Sequence, residues 1–109
     1  MRIQQLQNEH FDWVKHNFPD ATSWHQLLGV VEEVGELSHA HLKSLQGIRG
    51  TTDEHFEAKC DAIADILIFL AGYANMEGID IETCIDASWA IVKERDWQKN
   101  KQDGSTSEG

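Results

Sequence analysis

Val31-Glu32-Glu33-Val34-Gly35-Glu36-Leu37, followed by Asp61-Ala62-Ile63-Ala64-Asp65-Ile66-Leu67, is the stretch that decides the fold. Both pieces are apolar runs carrying carboxylates at helical spacing. A helix turns about 100° per residue, so Glu32 and Glu36 project within about 40° of each other, and Glu33 within about 60° of Glu36. Asp61 and Asp65 are again about 40° apart on their own helix. Acids are rarely buried without a partner. Two acidic clusters inside amphipathic helices therefore point to a cation shared between those helices.

The bulk composition narrows the functions. The chain has 109 residues, enough for one compact domain, and 40% of them are hydrophobic. Nine basic against 19 acidic side chains give a formal net charge of -10. That excludes a general electrostatic grip on a nucleic-acid polymer, which needs a basic surface. A single nucleotide whose phosphates arrive with metal ions remains compatible. Cys60 and Cys84 form no Cys-x-x-Cys and read as reduced packing residues. The amino terminus shows no apolar signal segment. The longest apolar stretch, residues 63 to 74, contains Asp65 and is too short to cross a bilayer. The expectation is a cytoplasmic protein with no membrane partner.

Working outward, the periodicity predicts four helices. The first runs over residues 3 to 17, with Leu6, Phe11 (or His10), Trp13 and Val14 as its apolar positions, and ends at Phe18-Pro19-Asp20. Ser23 with Gln26 has the form of a capping box, which starts the second helix near Trp24. Its stripe is Leu27, Val30, Val31, Val34, Leu37 and His41. Gly47 and Gly50 flank a break. Thr51 with Glu54 forms another capping box, and a third helix carries Phe56, Cys60, Ile63, Leu67 and Leu70 to a stop at Gly78. Asp80 caps a fourth. Strand-like alternation is scarce, so the fold class is all-α, a helical bundle. Residues 66 to 70 are apolar around most of the helix circumference, and a helix of that kind lies inside a bundle. A chain this short cannot cover it alone. The bundle is expected to be completed by homo-oligomerisation, as a dimer or a dimer of dimers. Residues 1–102 form the single domain, and 103–109 a flexible polar tail.

Carboxylate-only ligands favour Mg²⁺, with Mn²⁺ as a substitute, over zinc. Mg²⁺ keeps several waters and binds through few carboxylates plus substrate phosphates, an arrangement suited to phosphoric anhydride hydrolysis. Acids at three- and four-residue spacing also occur as plain solvated helix faces. Here no Lys or Arg stands four residues from any of the five acids, where it would pair along the helix. An acidic helical interaction module without enzymatic activity is the non-catalytic alternative. Glu36-x-x-His39 has the spacing of di-iron carboxylate bundles, but the second segment carries no matching pair.

The ordered set of motifs resembles the MazG-like all-α nucleoside triphosphate pyrophosphohydrolases. Beyond the two acidic segments, the resemblance extends to Ala74-Asn75-Met76-Glu77-Gly78-Ile79-Asp80 and Lys93-Glu94-Arg95-Asp96-Trp97, and so covers roughly residues 24 to 99. It implies Mg²⁺-dependent cleavage of a nucleoside triphosphate to monophosphate and pyrophosphate, in the removal of unwanted nucleotides. Carried over, Glu33, Glu36 and Asp65 correspond to metal ligands. Glu32 corresponds to the residue that orients or deprotonates the water. The chain departs from the pattern at Ala62, where the family has an acid. Asp61, one position earlier, can face the same way and is the candidate substitute. Asn75 is a candidate for sugar or base, or a helix C-terminal hydrogen-bonding residue. Lys93 and Arg95 are candidates for phosphates from a neighbouring subunit, or a solvated final turn. Trp97, like Trp24 and Trp89, is a base-stacking surface or core. His25 is equally ambiguous. Lys43, seven residues past Glu36, reaches a phosphate or lies in solvent.

Overall fold

The computed structural model describes residues 1–106. Among them there are four helices and no strand: α1 (Ile3–Asn17), α2 (Ser23–Gln46), α3 (Thr52–Met76) and α4 (Ile81–Val92). The all-α expectation holds, and the four helix ranges agree with the periodicity. Contacts divide the chain into two units, Met1–Ile79 and Asp80–Gly109.

Local chemistry sets the helix ends. Thr51 Oγ1 accepts the Glu54 N–H at 3.1 Å, and Glu54 Oε1 accepts the Thr51 N–H at 3.0 Å, the reciprocal box the sequence predicts. The box at α2 is shifted by one residue. Thr22 is the N-cap, and its N–H donates to His25 Nδ1 at 2.9 Å. Gln26 does not cap, because its side chain is turned into the core. Gly47 closes α2 in the left-handed region (φ 68°) and donates to the Lys43 carbonyl. Gly78 (φ 69°) ends α3 as expected, with the Ile79 N–H reaching back to the Ala74 carbonyl at 2.8 Å. Asp80 caps α4 through the Thr83 N–H.

In the first unit, α2 and α3 pair as an antiparallel hairpin, and α1 packs on α3. The register can be read from facing residues. A Cβ added to Gly72 would meet Gln26 Oε1, and one added to Gly29 would meet the Phe69 ring. The charge of Asp65 bears on Glu33. Each step along α2 is thus matched by an equal step back along α3. Small residues are buried along both helices: Gly29 and Ala40 on α2, and Ala62, Ala71, Gly72 and Ala74 on α3. Gly29 and Gly72 let the neighbouring side chains approach the backbone closely. α1 is tied down by a polar clamp. Gln7 Nε2 donates to Asn75 Oδ1 at 3.0 Å and to the Ile79 carbonyl at 2.9 Å, while Asn75 Nδ2 donates to the Gln7 carbonyl at 2.8 Å.

Two expectations about packing need correction. On α1 the inward residues are Gln7, His10 and Val14, whereas Phe11 and Trp13 are exposed. On α2 the anticipated apolar stripe is split: Val30 and Leu37 are half-buried, whereas Val31 is 63% exposed and Val34 46%. The physical reason is the same in both helices. The seam takes small or polar residues, so the large apolar ones point outward. α3 keeps Leu67 and Ile68 exposed as well, and among the described residues no large side chain is fully buried.

The second unit holds α4 and a run of turns. Asp96 N–H donates to the Gly104 carbonyl, and Gly104 is buried beneath the Arg95 and Trp97 side chains. Residues 107–109 of the anticipated tail lie outside the described residues. No single helix among the described residues is long and apolar enough to cross a membrane.

Close packing at Gly29 gives a stability test. Gly29→Ala should destabilise by about 1–3 kcal/mol, because the new methyl overlaps the Phe69 ring. Gly35→Ala meets nothing within 4 Å and should be neutral or stabilising by up to about 1 kcal/mol. Urea denaturation midpoints check the pair; equal shifts would contradict the close approach.

Candidate functional site

The antiparallel register brings the two acidic segments together. Glu33 and Asp65 are both partly buried where α2 faces α3, and Glu32 and Glu36 lie within one turn of Glu33. The Glu33 carboxyl is held above its ordinary range, first by loss of solvent and then by the charges of Asp65, Glu32 and Glu36. Three other sequence-predicted acids, Glu32, Glu36 and Asp65, therefore bear on Glu33 through space. Asp61 is exposed on α3, one turn before Asp65. The same register puts Ala62, which is 3% exposed, across from Glu36. Among the described residues, no three His, Cys, Asp or Glu side chains converge tightly enough to form a ready-made metal cage. Mg²⁺ does not require one, since it keeps waters and takes oxygens from the substrate. The all-oxygen donor set and the raised Glu33 fit a hard divalent cation, whose charge would relieve the mutual repulsion.

A cavity of about 520 Å³ opens onto this cluster, lined by Glu33 and Asp65 together with Glu9, His10, Trp13 and Phe69. A second cavity, of about 550 Å³, shares His10, Trp13, Ile68 and Phe69 and extends to Phe18, Pro19 and Gln26. Its walls are aromatic, with the Trp13 and Phe18 rings edge to face at 5.8 Å. Two polar groups there have no hydrogen-bond partner, His10 Nδ1 and Gln26 Oε1. Both residues are buried, at 6% and 5% exposure. Burial lowers the His10 pKa, which favours the neutral imidazole. Buried polar atoms are normally satisfied, so these two on one cavity wall are open to a water or a polar ligand group that enters the cavity. Gly72 makes the arrangement possible, because a side chain there would collide with both groups.

The other anticipated residues fall as follows. His25 lines the second cavity while its Nδ1 is engaged by Thr22. Asn75 gives both ends of its amide to Gln7. Lys43 donates to Gln46 Oε1 at 2.9 Å and lines a separate small pocket with Glu36. Lys93, Arg95 and Trp97 belong to the second unit, where Arg95 and Trp97 crowd Gly104. Sequence reading missed Gln26, Trp13 and Phe69 as cavity residues and named His10 only as an apolar alternate. The available signal was polarity out of phase: His10 and Gln26 occupy inward helix positions that an apolar side chain would ordinarily fill.

No protein-family model and no curated protein matches the sequence. Among solved structures, the chain is similar to a MazG-like pyrophosphohydrolase of cyanophage S-2L, bound to dGDP and three catalytic Mn²⁺ ions per active site. The identity is 26% and the TM-score 0.60, over 87% of this chain and 84% of that one.

The raised Glu33 pKa has a definite sign for stability. The folded chain holds this proton more tightly than the unfolded chain does. The contribution favours folding below the ordinary carboxylate range and is lost as pH rises through the raised value. Metal-free Glu33→Gln should therefore melt above the wild type at pH 7, with the gap closing as pH falls to about 4. Thermal melts in EDTA across that range check it. A gap independent of pH would contradict the charge coupling.

Proposed function

We propose that the protein is a divalent-metal-dependent nucleoside triphosphate pyrophosphohydrolase, converting a ribo- or deoxynucleoside triphosphate to the monophosphate and pyrophosphate. The observation that carries the reading is the bearing of Glu32, Glu36 and Asp65 on the Glu33 carboxyl, beside a cavity with aromatic walls and two orphaned polar groups. The likeness to a nucleotide- and manganese-bound pyrophosphohydrolase supports it. The physiological counterpart of the cation would be Mg²⁺, and the role removal of unwanted nucleotides.

Glu33, Glu36 and Asp65 would hold the cation, with Asp61 as a further candidate. When bound, the cation supplies charge neutralisation at the phosphate oxygens. Glu32, exposed and outside the ligand set, would take the proton of the attacking water. The water oxygen bonds to phosphorus, the α–β anhydride bond breaks, and pyrophosphate leaves. The base enters the aromatic cavity, its edge donating to Gln26 Oε1 and facing His10. His25 closes the far wall. Asn75 acts by holding α1, and hence His10 and Trp13, in place through Gln7. Lys93, Arg95 and Trp97 are reserved for phosphate or base contacts in the assembled oligomer. The outward apolar faces of α2 and α3 support self-association as a dimer or dimer of dimers.

Chromatography of the products of a deoxynucleoside triphosphate panel in Mg²⁺ tests the reaction. Monophosphate plus pyrophosphate is expected. Diphosphate plus orthophosphate, or full activity in excess EDTA, would contradict it, and no turnover at all would leave the non-enzymatic module. Glu32→Gln should lower kcat by about 10²–10⁴-fold while metal affinity stays near wild type. Gln26→Leu should flatten the preference among bases more than it lowers the best kcat, since it removes an acceptor and not a group near the acids.

A further inference from the structure

On the opposite side of Glu36 from the base cavity, α2, α3 and their connection enclose a small pocket of about 190 Å³. Its wall is built from Glu36, His39, Lys43, Arg49, Glu54 and His55. The volume is about that of six waters, too small for a nucleoside and suited to a compact polar group. His55 is 7% exposed, and its Nε2 is buried with no hydrogen-bond partner. Gly50 stands against that ring, and a Cβ there would come within 3.3 Å of it. The connection is unusual: Arg49 takes a left-handed conformation (φ 60°) next to Gly50 (φ 148°).

We propose that this pocket receives the terminal phosphates of the substrate and holds the pyrophosphate product, through Lys43, Arg49, His39 and His55. The inference deepens the hydrolase reading and rests on it for the substrate. Charge and position both favour phosphate. Lys43 and Arg49 are the fixed cations of the wall. Of its two acids, Glu54 is committed to the Thr51 N–H at 3.0 Å, and Thr51's backbone and hydroxyl hold its carboxyl below the usual range. The charge of the other, Glu36, bears on Glu33, and a cation held by these acids would offset it. With that charge offset, Lys43 and Arg49 would leave the wall net positive and receptive to an anion. Lys43 stands seven residues beyond Glu36, about 10 Å along the axis and on the same face of α2. Base cavity, acid cluster and this pocket follow one another along the α2–α3 hairpin, in the order base, α-phosphate and leaving pyrophosphate. Lys43 and Arg49 would then select triphosphate over monophosphate, acting on the leaving group.

Calorimetric titration of inorganic pyrophosphate in Mg²⁺ into the full chain tests this, with deoxynucleoside monophosphate in Mg²⁺ as the second titrant. The variant is Lys43→Gln/Arg49→Asn. Glutamine keeps most of the stem, and asparagine tolerates the left-handed backbone. Pyrophosphate affinity should fall at least tenfold, while monophosphate affinity stays within twofold. Lys43→Arg should retain binding, which separates lost charge from lost fold. Unchanged pyrophosphate affinity in the double variant, no pyrophosphate binding by the wild type, or equal loss of both titrants would overturn the proposal. Hydrolysis assays run in parallel keep the two readings apart. Normal α–β cleavage with no effect of the double variant on pyrophosphate binding removes the pocket and leaves the hydrolase. Pyrophosphate binding that depends on Lys43 and Arg49, in a chain that cleaves no nucleotide, leaves the pocket and removes the hydrolase.

Discussion

Close approach of α2 to α3 is the constraint on which the rest of the first unit depends. Gly29, Ala40, Ala62 and Gly72 line the seam, and a side chain at either glycine would collide with the facing helix or with α1. The antiparallel register this produces sets Glu33 against Asp65 and stacks Gln26 and His10 over the bare backbone at Gly72. The same choice has a cost. A seam of small residues buries little apolar area, and hydrophobic stabilisation scales with that area. The large residues Val31, Val34, Leu67 and Ile68 are left facing outward. Patches of that kind mark interaction surfaces in soluble proteins.

The fold was largely legible because its signals are local. Thr51 with Glu54, Gly47, Gly78 and Asp80 each cap the helix the sequence assigns to them. The α2 start was misread by one residue because His25 supplies the acceptor that a glutamine usually does. The direction of the helix faces was not legible. Periodicity identifies an apolar stripe but not which neighbour it meets, and a stripe meant for another surface looks the same as one meant for the core.

The acids of the candidate site were legible for a similar reason: helix geometry alone groups Glu32, Glu33 and Glu36, and the hairpin adds Asp65. The cavities were not. His10, Trp13, Gln26 and Phe69 are brought together from three helices, and Lys43, Arg49 and His55 from two helices and a loop. Asn75 shows the limit of a motif read alone. Its position in the sequence suits a ligand contact, and its amide is instead bonded at both ends to Gln7. What the sequence could not carry is convergence across long separations in the chain.

The central claim is that repulsion among Glu32, Glu33, Glu36 and Asp65 is relieved by a specifically bound cation. The most direct measurement is the melting temperature in millimolar Mg²⁺ against sodium chloride at matched ionic strength, for the wild type and for Asp65→Asn. A cation that binds only the folded chain stabilises it by about 2.7 kcal/mol at a hundredfold excess over its dissociation constant. Screening by salt relieves surface repulsion without regard to the site. The expected result is a wild-type increase in Mg²⁺ well beyond that in sodium chloride, largely lost in Asp65→Asn. Equal effects of the two salts on the wild type would contradict the claim and leave the acids a solvated face.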